Sequence, residues 1–176
     1  MTLLTQKLSK LFFAETIRVI TLALFVVVFG ASATFAQTNQ QVSFTATATG
    51  SITGVTKLPG GLTQINFTGS GSATHLGSVT GALTRIQDNQ GNFGSTAVIV
   101  GANGKDSIFL SISGRFEGKS GGDKCVVTST GTYTVTGGAG AFANATGSGT
   151  LQTQFDLCAG TASGTYTGTI SQPNSN

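Results

Sequence analysis

The sequence predicts an all-β protein, an eight-stranded antiparallel up-and-down barrel, behind a leader of different character. Three observations carry this. From Val42 onward apolar and polar residues alternate with period two, the pattern of strands buried on one face. Turn residues interrupt the alternation at short intervals, as at Pro59-Gly60-Gly61, Asp88-Asn89-Gln90-Gly91-Asn92 and Asn103-Gly104. The runs joined by these turns number about eight, and a meander of that size removes its exposed edges by closing on itself. A two-sheet β-sandwich is the second architecture the pattern allows.

The leader comes first. Lys7, Lys10 and Arg18 precede an uncharged apolar run, Val19 to Phe29, and small residues follow from Gly30 to Ala36. Basic region, short apolar core and small-residue zone in that order read as a secretory signal. Residues 1–36 are therefore expected to be a signal peptide and residues 37–176 a single β-barrel domain. Ala31-x-Ala33 and Ala36-Gln37 offer two cleavage points. The apolar core is short against the roughly 20 residues that span a bilayer, so no membrane association is expected after cleavage. The expected location is extracellular or periplasmic.

Charge narrows the partners. The chain has nine Lys and Arg, six Asp and Glu, and a net charge of +3. Three of those cations and one acid lie in the leader, which leaves residues 37–176 near neutrality at +1. Nucleic-acid affinity rests on clustered cations, and no nucleic-acid partner is expected. Disorder is also disfavoured, because Thr, Val and Ile abound and alternate.

Cys125 and Cys158 are the two cysteines. In an oxidising compartment such a pair reads as a disulfide. A metal site would need further ligands close by, and a catalytic thiol would need a base, whereas the single histidine is His75. No metal and no cofactor are expected.

Taken in order, the first strand spans Val42 to Ile52, with Phe44, Ala46 and Ala48 on one face and Thr45, Thr47 and Thr49 on the other. The second runs from about Leu62 to His75 and the third from Ser78 to Ile86. Asp88 to Asn92 has a faint likeness to a calcium loop but lacks the later acidic ligand, and a hairpin turn is the better reading. The fourth strand is Ser95 to Gly101 and the fifth Asp106 to Glu117. The last three lie near 124–136, 145–156 and 160–171. Cys125, Thr128, Gly131, Thr132 and Tyr133 recur as Cys158, Thr161, Gly164, Thr165 and Tyr166, each 33 positions on. That offset is one strand out and one back, so strands six and eight run the same way on either side of strand seven. Strands so separated lie roughly 9 to 10 Å apart, too far for a disulfide. The bridge therefore requires Cys158 to leave the ladder in the turn after Leu157.

The outward face is mostly Thr and Ser, which suits strands in water. The inward face mixes Phe44, Phe67, Phe116, Tyr133, Phe155 and Tyr166 with many glycines. Either the glycines make room for rings on facing strands, or they leave an aromatic-lined pocket for a small ligand. Polar residues of inward parity are the candidates for contact with such a ligand: Tyr133, Tyr166, Arg85, His75 and Ser129. No Ser-His-Asp order, paired carboxylates or phosphate loop accompanies them, and no catalytic residue is assigned.

The turn Thr136-Gly-Gly-Ala-Gly-Ala-Phe-Ala-Asn-Ala-Thr-Gly147 resembles the Gly-rich hairpin of the allene oxide cyclase and dirigent barrel superfamily. Gly71-Ser-Ala-Thr-His-Leu-Gly77 is similar to a segment of bacterial secreted members. The resemblance implies an eight-stranded barrel with its working surface inside. The catalytic residues of those proteins find no counterparts here. The expected function is a secreted barrel, structural or binding a small apolar ligand. A cyclase-like or dirigent-like catalyst and a surface adhesion module are the alternatives.

Overall fold

The computed structural model describes residues 40–119 and 125–173; the expected signal peptide over residues 1–36 and its two expected cleavage points lie outside the described residues. Eight strands follow in order: β1 (Gln41–Lys57), β2 (Thr63–Ala73), β3 (Gly77–Gln87), β4 (Asn92–Gly101), β5 (Ser107–Lys119), β6 (Val126–Ala139), β7 (Gly147–Asp156) and β8 (Thr161–Ser171). Each pairs antiparallel with the next, and β8 pairs back onto β1, from Gln41 opposite Ser171 to Ser51 opposite Thr161. The sheet is a closed up-and-down barrel and not a sandwich. Among the described residues no helix is long and apolar enough to cross a membrane.

Period-two patterning does what it should. Phe44 and Ala46 are buried while Thr45 and Thr47 are exposed. On the outside, Thr132, Thr150, Thr167 and Thr45 follow one another across β6, β7, β8 and β1 in a continuous cross-strand row. The strands differ from expectation mainly in length. β1 continues past Ile52 through a bulge to Lys57, and its end carries Val55 into solvent. β4 begins at Asn92, three residues earlier than the alternation suggested, which brings Phe93 into the core.

Glycine and ring complement each other inside the wall. Tyr133 faces Gly149 across the β6–β7 ladder, Gly149 faces Gly168, and the tyrosine ring occupies the space their side chains would have filled. Phe93 lies over Gly114 in the same way. One end of the barrel is stoppered by the glycine-rich β6–β7 turn. A single 3-10 turn, Gly140–Phe142, tucks Phe142 into the core, and the Asp106 carboxylate accepts a bond from the Ala141 N–H at 2.8 Å.

The opposite end carries the disulfide. Cys125 and Cys158 are bridged with their Cα atoms 5.4 Å apart. Cys158 has left the ladder as the distance argument required. β7 ends at Asp156, whose carboxylate accepts the backbone N–H groups of Cys158 and Ala159, and Leu157 donates to the Cys125 carbonyl.

This packing makes a direct prediction. A methyl group at Gly168 would collide with the Ser148 carbonyl oxygen and with Tyr133. Gly168→Ala should therefore destabilise the barrel by about 1–3 kcal/mol, read as a lower urea midpoint.

Candidate functional site

The inward face of β3 reads Val79, Gly81, Leu83, Arg85 and Gln87, so a strand otherwise suited to a core delivers a guanidinium into it. Arg85 is 1% exposed. Four rings from four strands surround it. Its central carbon lies 3.9 Å from the centroid of Phe93, 4.7 Å from Phe155, 5.3 Å from Phe116 and 5.7 Å from Phe67. The rings also pack on one another, with Phe67–Phe155 and Phe116–Phe155 centroids both 5.6 Å apart.

Cation–π attraction is worth up to about 2 kcal/mol per desolvated contact. Removing a cation from water costs several kcal/mol. The rings therefore offset much of that cost without supplying hydrogen-bond acceptors. Arg85 Nε and Nη1 have no partner, and neither do Gln87 Oε1 and Ser95 Oγ. Ser95 stands directly opposite Arg85 across the β3–β4 ladder, and Gln87 is two residues along the same face. Among the described residues no carboxylate is buried, and Arg85 makes no ion pair. Burial pulls the Arg85 pKa down to about 10, against a smaller opposing effect from Tyr166. The group keeps its charge at neutral pH.

Beside this cage lies a cavity of about 120 Å³. Its wall is built from small and apolar groups such as Ala48, Gly69, Leu83, Ala97 and Ala162, with Tyr166 on one side and Arg85, Phe67 and Phe155 at one end. Burial raises the Tyr166 pKa, and Arg85 opposes the shift.

The five residues of inward parity thus separate into distinct places. Arg85 and Tyr166 meet at the cavity. Tyr133 touches Tyr166 edge-to-face, centroids 5.9 Å apart, yet lies outside the cavity lining, and its buried hydroxyl has no partner. Burial pushes its pKa up to about 12. Ser129 is fully buried and exchanges a 2.5 Å hydrogen bond with Thr153, which does line the cavity. His75 stands apart. It occupies the exposed β2–β3 turn with a φ of 67°, at the end of the barrel away from Arg85, and its Nε2 lies 3.1 Å from the Ser43 carbonyl. Its parity pointed inward, but β2 stops at Ala73 and parity has no meaning in a turn.

The Asp88 turn is a hairpin. Its carboxylate accepts the backbone N–H groups of Gln90 and Asn92 and the Asn92 side-chain amide, which together hold its pKa below the usual range.

No protein-family model, curated protein or solved structure matches this chain.

Phe93, Ser95 and Gln87 are the site residues that sequence reasoning missed. The signal for Phe93 and Ser95 was parity with Ala97 and Ile99. It was masked because Val98 and Val100 make β4 apolar on both faces.

Two outcomes follow. Replacing a buried charge by an apolar side chain of similar volume is commonly neutral or stabilising by about 1–4 kcal/mol. Ligand-free Arg85→Met should accordingly unfold at higher urea than the wild type. Tyr133 makes stability depend on pH. Its phenol ionises near 10 when unfolded and near 12 when folded. The stability tied to the neutral form is therefore complete below pH 10 and falls away as pH rises toward 12. Tyr133→Phe should be more stable by about 1 kcal/mol at pH 7, since it removes an unpartnered buried hydroxyl. Its advantage over wild type should widen above pH 10 in urea titrations.

Proposed function

We propose that this chain is an exported, non-catalytic barrel that holds a small apolar molecule in its interior. The single observation that carries this reading is the mid-barrel cavity of about 120 Å³ walled by Ala, Gly, Leu and aromatic side chains. Dry apolar cavities of roughly 150 Å³ take up benzene, so the space suits one ring or its equivalent. Small side chains on β1, β2, β3, β4 and β8 meet at the same level, so the space is a product of the sequence pattern on several strands.

Export is supported by the basic-apolar-small order of residues 1–36 and by a disulfide that persists in oxidising surroundings. The glycine-rich hairpin at 136–147, with its likeness to the allene oxide cyclase and dirigent superfamily, supports an interior working surface. The non-catalytic reading draws its support from the residues around the cavity. Tyr166, Thr153 and Arg85 border the cavity without a nucleophile–base pair, and His75 is at the other end of the barrel.

Toluene is the direct probe. Titrated into the labelled protein, it should saturate and shift the amides of Leu83, Ala97, Ala162 and Tyr166. Ala97→Leu fills the space and should abolish those shifts while the rest of the spectrum is retained. A wild-type spectrum indifferent both to toluene and to its carboxylated analogue benzoate would reject the reading.

A further inference from the structure

Among the described residues, five buried side-chain polar atoms lack a hydrogen-bond partner, and four of them belong to Arg85, Gln87 and Ser95. Buried polar groups are satisfied almost without exception, by protein or by ordered water, so a cluster of orphans calls for a further partner. Here Arg85 lines the cavity and carries a full positive charge with no acidic side chain beside it, while Ser95 and Gln87 stand next to it on the wall, outside the cavity lining.

We infer that the occupant is a small single-ring monocarboxylate, its ring in the cavity and its carboxylate on Arg85. This rests on the cavity reading above and adds the charge of the ligand. The chemistry is specific. A guanidinium offers a planar fork of donors that matches a carboxylate. Ser95 Oγ, opposite Arg85 in the ladder, supplies a further O–H donor. Gln87 can present its amide N–H groups by rotating its amide half a turn, an exchange of O and N that leaves its shape unchanged. The Phe93, Phe155, Phe116 and Phe67 rings keep the guanidinium in place and exclude water around it, which strengthens its attraction for an anion.

Size sets the other limit. A cavity of about 120 Å³ has room for one ring. A cation sealed among rings also discriminates against a neutral ligand. Such a ligand would leave the Arg85, Gln87 and Ser95 atoms unpaired, and unpaired polar groups separate affinities steeply.

The test compares benzoate, toluene and acetate by calorimetry and NMR titration, using protein expressed through an exporting host. Benzoate should bind at least tenfold more tightly than toluene and at least thirtyfold more tightly than acetate. Arg85→Met should weaken benzoate at least thirtyfold and leave toluene within threefold. Ser95→Ala, a small change in a folded wall, should weaken benzoate severalfold and spare toluene. If toluene binds while benzoate does not, or if Arg85→Met leaves benzoate unchanged, the carboxylate inference fails and the apolar-cavity reading stands. The orphan atoms are then held by ordered water. Equal affinity for acetate and benzoate would overturn the ring requirement. Failure of both toluene and benzoate removes the cavity reading and this inference together.

Discussion

Closure governs this molecule. Because β8 returns to pair with β1 from Ser51 to Gln41, no edge is left open, and every second side chain on eight strands shares one enclosed space. A polar group that enters this space cannot reach water by tilting toward an edge. It must find a partner inside, or keep its charge among groups that tolerate it. Arg85 has the second fate. Had the sheet split into a sandwich, the same residue at the end of a strand could have extended past the rim. In the closed barrel it points to the centre, where four phenylalanines replace its hydration.

The interior is graded along its length. Toward the glycine-rich β6–β7 turn it is packed, with Phe44, Ile108, Ile170 and Phe142 all at most 2% exposed. Tyr133 belongs to this region; its ring fills the space over Gly149 and Gly168 while its hydroxyl goes unpartnered. Past Tyr166 the wall changes to alanine and glycine and the packing opens into the cavity. Beyond it the phenylalanine cage around Arg85 closes the space toward the disulfide end. Small residues thus act in two ways. Where a ring from a neighbouring strand lies over them they are packing; where none does, they are the wall of a vacancy. The residue types are the same, and only the cross-strand register tells the two cases apart.

That distinction explains what could be read in advance. The strand count, their order, the turn positions and the departure of Cys158 from the ladder follow from alternation, turn residues and distance limits, all of which are local. The inward parity of Arg85, Tyr133, Tyr166 and Ser129 was legible for the same reason. The gathering of Phe67, Phe93, Phe116 and Phe155 around Arg85 was not, because it depends on how strands β2, β4, β5 and β7 are staggered around the barrel. Ser129 shows the limit from another side. Its position was readable, yet its bond to Thr153 on the adjacent strand takes up its hydroxyl. His75 follows inward parity in the sequence, but β2 ends at Ala73 and the histidine lies in the turn beyond it. Phe93 is hard to read because β4 is apolar on both faces and starts three residues before Ser95.

The barrel holds an apolar cavity bordered at one end by the Arg85 cation. A crystal pressurised with xenon examines it most directly, since xenon enters dry cavities and needs no guess about the ligand. One xenon peak is expected between Leu83, Ala97 and Tyr166, next to an Arg85 guanidinium still held by its four rings. An interior filled by side chains with no xenon, or an Arg85 turned out to solvent, would contradict it.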